Sequence, residues 1–317
     1  MSGKTVIGVD IGGTKSAVVL ARTDGTILQR RAIRTGIEIE PLEALAQLAS
    51  MSRELLSLPE AKDAFGVGIS CGGPLDTKTG MIFAPPNLPK WTEVPVRAFF
   101  EKALKLPVRV ENDANATALA EWRYGAGRGV QNMVFITIGT GIGGGLILDG
   151  RLYRGTNDLA GELGHQTILM NGPLCGCGKR GCLEALASGP AIARLARESM
   201  VYGRAKRALA LAGGKPDNIT AVHIVEAALE GDPFSTQILE EAGTYMGIGI
   251  ANLIQFLNPE RIILGTIAVH AGDLILNPIR AAVAEYAWKR SADVCKIVAA
   301  ELGDRAQDLA AVALWDE

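Results

Sequence analysis

The feature that most constrains this chain is that it repeats itself. Met133–Ile138 reads as an apolar strand, Thr137-Ile138-Gly139-Thr140-Gly141 as a tight glycine-rich turn, residues 145–148 as a second strand and Asp149-Gly150 as a hairpin turn. The same order opens the chain, with a strand at 5–9, the turn Asp10-Ile11-Gly12-Gly13-Thr14, a strand at 16–21, the hairpin turn Asp24-Gly25 and a third strand from Ile27. The two glycine turns lie 127 residues apart, which implies an internal duplication. Glycine supports this: 38 of 317 residues, about 12% against a usual ~7%, mark many tight turns and close backbone approaches.

Between the copies, apolar spacing predicts a helix over 41–58, a strand at 65–70, a helix over 94–104, a strand at 108–110 and a helix over 115–122. The first lobe is therefore α/β. After residue 185 helical patterns dominate, at 190–202, 220–229 and Pro233–Leu257, before Asn258-Pro259 stops the last and Arg261–Leu264 follows as a buried strand. A terminal helix is expected from Asp304, apolar at Ala306, Leu309, Ala310 and Ala313. We expect a small lobe over 1–117, a larger lobe over 118–305, and a helix over about 306–317 returning to the small lobe.

With 48% apolar residues, 21% charged residues and net charge −2, neither disorder nor electrostatic capture of nucleic acid or anionic membrane is indicated. The start Met1-Ser2-Gly3-Lys4 runs into a strand pattern with no signal-peptide core, so a cytoplasmic protein is expected. The uncharged stretches 133–148 and 242–258 carry glycines or Asn252, Gln255 and Asn258, and read as buried elements rather than membrane spans. Of five cysteines, Cys71 and Cys295 read as small buried residues, whereas Cys175, Cys177 and Cys182 crowd into eight positions and favour a metal over disulfides in a reducing compartment.

The run from Gly139 to Gly144 matches G-x-G-x-x-G, but a strand and hairpin follow where a dinucleotide site needs a helix N-terminus, and no Walker A sequence is present. Duplicated Gly/Thr turns suggest another arrangement, in which backbone N–H groups and a threonine hydroxyl from each lobe hold phosphates across a cleft. Asp10 would then hold Mg²⁺ through water; alternatively Asp10 and Thr14 only shape a turn. Glu111-Asn112-Asp113-Ala114-Asn115 closes a strand and opens a helix, so Asp113 is either a carboxylate facing the cleft or a helix N-cap. His165, Cys175, Cys177 and Cys182 supply one histidine and three cysteines, the ligand set of a closed tetrahedral structural zinc site. Such a site would clamp a glycine-rich loop and aim Glu162 and Glu184 at a ligand.

Taken with Asn87, the sequence Glu162-Leu163-Gly164-His165, the cysteine run ending Gly181-Cys182-Leu183-Glu184, and the stretch from Leu257 to Gly265, these motifs resemble the ROK family (repressor, open reading frame, kinase), particularly its glucokinase-like sugar kinases. The resemblance runs nearly end to end. It implies the actin-like, ribonuclease-H-like ATPase fold of two lobes around a cleft, ATP-dependent phosphorylation of a hexose at its 6-hydroxyl, Mg²⁺ and a structural Zn²⁺. By matching position, Asp113 is the general base, Asn112, Glu162, His165 and Glu184 hold the other hydroxyls, and Gly73 and Asn87 line the sugar pocket. Asp10, Gly12, Gly13, Thr14, Lys15, Thr137, Gly139, Thr140, Gly141, Gly265 and Thr266 form the nucleotide side. His165 would serve zinc and sugar together.

Two departures from the family pattern stand out. Cys71-Gly72-Gly73-Pro74 replaces a common Pro-Gly-Pro beside the sugar pocket, and Gly265-Thr266-Ile267 replaces a Gly-Gly-Gly run on the adenine side. The first leaves open whether the hexose is glucose, mannose, fructose, allose or an N-acetylated amino sugar; the second leaves another phosphoryl donor open. Repressors of the family carry a winged helix-turn-helix for which a strand beginning at residue 5 leaves no room, and there is no basic stripe for DNA. A non-catalytic sugar sensor is the other alternative, opposed by Asp10, Thr14, Asp113 and both glycine turns. The expected partners are a sugar and a nucleotide, with the homodimer or homotetramer usual in the family.

Overall fold

The computed structural model describes residues 4–36 and 39–315; the last two positions of the expected terminal helix lie outside them. The first half runs β1 (Thr5–Ile11), β2 (Lys15–Arg22), β3 (Ile27–Arg34), α1 (Pro41–Leu56), β4 (Val67–Cys71), a small antiparallel sheet of β5 (Leu75–Asp76), β6 (Met81–Ile82) and β7 (Val94–Pro95), then α2 (Val96–Leu104), β8 (Val108–Asn112) and α3 (Asp113–Tyr124). The second half runs β9 (Met133–Ile138), β10 (Ile142–Leu148), β11 (Arg151–Tyr153), α4 (Leu183–Ala187), α5 (Gly189–Ser199), α6 (Lys206–Leu211), α7 (Ala221–Leu229), α8 (Pro233–Leu257), β12 (Arg261–Leu264), α9 (Ile267–Ala271), α10 (Asp273–Tyr286), α11 (Lys289–Ala292), β13 (Lys296–Ala299) and α12 (Ala306–Val312).

The duplication is complete at the level of topology. The first sheet has the order β3-β2-β1-β4-β8 and the second β11-β10-β9-β12-β13; in each, three antiparallel strands are extended by two parallel ones. Strands β1 and β4 are buried on both faces, which is why they read as unbroken apolar runs rather than alternations. Asp149 and Gly150 both take positive φ, the geometry of a type I′ hairpin that joins β10 to β11.

Helices α1 and α2 cover the outer face of the first sheet around Trp91 and Phe100, and α5, α7, α8 and α10 cover the outer face of the second. The inner layer is shared. There α3, which ends the first half, packs on β9 and β10 of the second, while α12, which ends the second half, packs on β1 and β4 of the first. Both seatings depend on glycine. A Cβ at Gly68 would lie 1.9 Å from the Ala311 carbonyl oxygen, and one at Gly145 would lie 2.5 Å from the Ala118 side chain. Residue 117/118, the expected lobe boundary, falls inside α3.

Several boundaries differ from expectation for local reasons. Strand β8 runs to Asn112 because it pairs along β4 to the Cys71–Asn112 step, and β10 begins at Ile142 because its glycines pair with Thr137 and Ile136. Helix α3 starts at Asp113 and α5 at Gly189, with a 3₁₀ turn over Met200–Tyr202; another, Gly303–Arg305, precedes α12. Cys71 is buried as expected, but Cys295 is only half-buried. Among the described residues, no helix is long and apolar enough to cross a membrane.

Candidate active site and metal cluster

In a sheet with parallel strands, the strand carboxyl ends form one edge from which loops project toward a ligand. In the first sheet, Asp10 pairs with Ser70 and Ser70 with Glu111, so the ends of β1, β4 and β8 lie side by side and bring Asp10, Cys71-Gly72-Gly73 and Asn112-Asp113 to one edge. Asn87 closes the group: a Cβ at Gly72 would meet its Oδ1 at 3.3 Å and the Asp113 Oδ2 at 3.8 Å, and a Cβ at Gly13 would meet its carbonyl oxygen at 2.5 Å. A Cβ at Gly73, which precedes a cis Pro74, would lie 3.1 Å from the Asn112 Nδ2.

The N-cap of α3 is Asn112, not Asp113. Its Oδ1 accepts from the amides of Ala114 and Asn115 at 2.9 and 3.4 Å. Asp113 is thereby left as the first helical residue, open to solvent on its ligand side, with one oxygen accepting from the Ala114 amide. Protein crowded behind the Asp113 carboxyl raises it above the ordinary carboxylate range, against the pull of that amide. Asp10 is pushed up to about 7, first by burial and then by the negative charges of Asp113 and Asp308, with Arg30 and Lys15 opposing. Two carboxylates on one strand edge, one of which raises the other, form a site for a cation or a shared proton. In the adjoining turn Gly12 is half-buried, Thr14 and Lys15 are exposed, and a Cβ at Gly12 would lie 2.5 Å from the Lys15 carbonyl oxygen.

Strand β10 gathers the rest. One side takes α3 at Gly143 and Gly145, which places the helix start carrying Asp113 against the second half; at Gly144 a Cβ would strike Leu163 at 2.2 Å. That contact seats the 3₁₀ turn Leu163–His165 and so the segment bearing Glu162 and His165. The turn before β10, containing Gly139, the exposed Thr140 and Gly141, is held by the Glu184 carboxylate, whose Oε2 accepts from the Ile142 amide at 2.9 Å. Glu184 is thus engaged with the glycine turn while its Oε1 accepts from the Cys175 thiol at 3.5 Å. Thr137 meets Thr266 with hydroxyl oxygens 3.3 Å apart. Thr266, beside Gly265 at the end of β12, donates to the Ile138 carbonyl at 2.7 Å and accepts from the Ile138 amide at 2.8 Å, in a backbone with φ +51°.

The ligand atoms of His165, Cys175, Cys177 and Cys182 all lie within 4.8 Å of one another. The Cys177 and Cys182 sulfurs are 3.7 Å apart, and the Cys175 sulfur is 3.7 Å from the His165 Nδ1. Two sulfurs at about 2.3 Å from a tetrahedral Zn²⁺ would stand about 3.8 Å apart, so donor set and spacing both fit that ion. Burial pushes the Cys175 thiol up to about 12 and raises Cys182, whereas the Lys179 amide lowers Cys177. The His165 Nε2 points the other way, 3.7 Å from the Glu162 Oε2.

Two features were not read from the sequence. Ser188 caps α5, whose first amide, Gly189, donates to the Gly139 carbonyl at 2.9 Å, so a helix N-terminus abuts the second glycine turn; Ser188-Gly189-Pro190 is a helix-start signature that carried the signal. The second is the buried Glu111. It accepts from Arg154 at 2.7 Å and from the Asn112 amide and the Asn115 Nδ2, both at 3.1 Å, and no local pattern marks that long-range pairing.

Known proteins place this arrangement. The family model described as the ROK family matches residues 6–317. A glucokinase from Halalkalibacterium halodurans is 37% identical over 309 residues, covering 96% of this chain and 93% of its own. A xylose repressor from Caldicellulosiruptor bescii is 31% identical over 312 residues, covering 98% of this chain and 77% of its own. The solved ROK glucokinase of Streptomyces griseus, in complex with glucose and AMPPNP, superposes with a TM-score of 0.79 at 35% identity and 98% coverage of both chains. The duplicated sheets form the actin-like ATPase fold, and with the family model spanning almost its whole length the chain belongs to the ROK family.

Proposed function

We propose that the chain is a sugar kinase that transfers the terminal phosphoryl group of ATP to the 6-hydroxyl of a hexose, glucose foremost. The observation that carries this reading is the edge shared by Asp10 and Asp113, which sets an accessible, raised carboxyl among Asn87, Asn112 and the Gly72-Gly73 backbone. Asp113 would accept the hydroxyl proton as the oxygen attacks; a carboxyl raised toward neutrality is a better general base than an ordinary aspartate. Asn112 would offer its Nδ2 to a hydroxyl, its Oδ1 being committed to the helix cap. Glu162 and the His165 Nε2 would bind the hydroxyls on the far side of the ring. Glu184 would position the second glycine turn in the ligand-free protein and exchange the Ile142 amide for a sugar hydroxyl on binding.

Phosphates would rest on the backbone amides of the two turns and on Thr14, with Lys15, Thr137, Thr140 and Gly141 around them. Asp10 would hold Mg²⁺, which supplies charge neutralisation when bound with the nucleotide. The cysteines and the His165 Nδ1 would hold Zn²⁺, which supplies a fixed node for a loop short of core. The supporting comparison is the glucokinase solved with glucose and AMPPNP, together with glucokinase relatives at 36–37% identity.

The test is a coupled assay with ATP and equal concentrations of glucose, 2-deoxyglucose, N-acetylglucosamine and N-acetylmannosamine. Glucose should lead, and 2-deoxyglucose should lose at least about tenfold in kcat/KM, about 1.4 kcal/mol, because a carboxylate built for that hydroxyl is left unpaired. A higher kcat/KM for either acetylated sugar refutes glucose, and no turnover of any of the four refutes the kinase.

A further inference from the structure

One cavity has none of Asp113, Glu162, His165 and Glu184 in its lining. It opens between β8, the edge strand of the first sheet, and β11, the edge strand of the second, and encloses about 700 Å³. Pockets of this size hold small metabolites. Among the described residues its wall carries six cationic side chains, Lys78, Arg97, Arg109, Arg123, Arg151 and Arg154, and two carboxylates, Glu111 and Asp158. The chain as a whole has net charge −2, so this concentration of positive charge is local.

The two carboxylates do not neutralise the wall. Glu111 is fully buried and bound to Arg154, while Asp158 accepts from the Thr77 amide and hydroxyl at 3.1 and 2.8 Å. Arg97 and Arg109 are fixed by neutral partners: Arg97 donates to the Thr77 and Lys78 carbonyls, and Arg109 donates to the Leu314 carbonyl at 2.6 Å and lies 4.3 Å over the Trp315 ring. Arg151 and Lys78 are exposed and carry no side-chain hydrogen bond or ion pair among the described residues. Carbonyl contacts orient a guanidinium without removing its charge, and each leaves further N–H donors free for an anion. Trp122 and Leu152 add an apolar stretch to the same wall.

We propose that this cavity binds a small phosphorylated metabolite, its phosphate groups held by Arg97, Arg109, Arg151 and Lys78 and its organic part lying along Trp122 and Leu152. Arginines held apart by backbone contacts cannot disperse their mutual repulsion, and a multivalent anion relieves it while matching the fork geometry of the guanidinium. The site draws on both halves: Lys78, Arg97 and Arg109 come from the first, and Arg151 with Leu152 from the second. The proposal stands apart from the kinase reading, because none of these residues belongs to the phosphate turns.

Calorimetric titration with inorganic pyrophosphate and with fructose 1,6-bisphosphate tests it. Wild type should bind both, and the double variant Lys78→Glu/Arg151→Glu should bind each at least tenfold more weakly, its thermal midpoint showing that it folds. Thr14→Ala, in the first glycine turn, should change both affinities by less than twofold. The proposal is overturned if wild type binds neither probe at millimolar concentration, or if the double variant binds as wild type does. It is equally overturned if Thr14→Ala abolishes the heat, since the anion would then sit in the glycine turns.

Discussion

Thr266 holds a backbone conformation that suits glycine, with φ +51° and ψ −108°, and its hydroxyl makes two hydrogen bonds to Ile138. A non-glycine residue in such a region carries about 1–3 kcal/mol of strain. The two bonds, on a residue exposed at the end of β12, return about 0.5–1.5 kcal/mol each. Thr266→Ala keeps the strain and loses both bonds, so it should destabilise by about 1–3 kcal/mol. Thr266→Gly loses the same bonds but releases the strain, less about 0.5–1 kcal/mol for the greater freedom of glycine in the unfolded chain. The glycine variant should therefore be more stable than the alanine variant, by about 1 kcal/mol at the middle of these ranges and by up to about 2.5 kcal/mol, the reverse of the usual order within a regular element. Urea unfolding of the three proteins at one pH measures this. A glycine variant less stable than the alanine variant would refute the strain at this position, and an alanine variant as stable as wild type would refute the anchoring by the hydroxyl.

Three further outcomes follow from the site. Asp113→Asn should lower kcat by about 10²–10⁴ while leaving the sugar dissociation constant near wild type; because burial raises the Asp113 carboxyl, wild-type turnover should fall on the acid side above the ordinary carboxylate range, and a profile flat through that region would remove Asp113 as base. Asp10, moved from 3.8 to about 7, keeps a proton in the folded nucleotide-free protein that the unfolded chain releases, so its contribution is favourable below 3.8 and is lost as pH rises through about 7. Asp10→Asn should accordingly raise the thermal midpoint at about pH 8 by at least about 2 °C and by less near pH 5, as scanning calorimetry would show. Cys177→Ser should bring zinc below one per chain and lower the thermal midpoint, and finding no zinc in wild type from zinc-replete cells would return the three cysteines to ordinary packing.

Where the sequence was most legible, the local pattern and the tertiary context agreed. Met133–Ile138, Pro233–Leu257 and Arg261–Leu264 match their predicted bounds because Gly, Asp-Pro or Asn-Pro punctuation marks their ends. Helix α10 was missed because Pro278 stands inside it, and the helix survives since Gly243 and Gly247 of α8 let it pack closely there. Strand β13 and the two-residue strands β5, β6 and β7 were missed for the opposite reason: they are too short to show a period, and only pairing defines them. The cysteine cluster was legible from spacing and residue type, and the four ligand atoms do lie within 4.8 Å of one another. The cap at Asn112 was not, since Asn and Asp in succession are equally good candidates and the pairing of β8 through Asn112 decides between them.

Duplication alone would give two equivalent halves, and the strand ends show where the equivalence is broken. Asp10 corresponds to Thr137 at the end of the first strand of each half. At the outer parallel strand, the pairing matches Val110 of the first half to Ala299 of the second, so that Asp113 answers to Leu302. Both carboxylates therefore lie on one side, where the charge of Asp113 helps to raise Asp10, while the opposite side presents hydroxyls, glycine amides and the N-terminus of the eleven-residue α5. An anionic phosphate chain is repelled by the first surface and attracted by the second. In the proposed reaction Asp10 would hold a cation that offsets this repulsion, and Asp113 would remain the carboxylate free to take a proton. The division of labour in the proposed reaction is thus set by which copy kept its acids, on a scaffold whose two helices, α3 and α12, each lock onto the other copy's sheet.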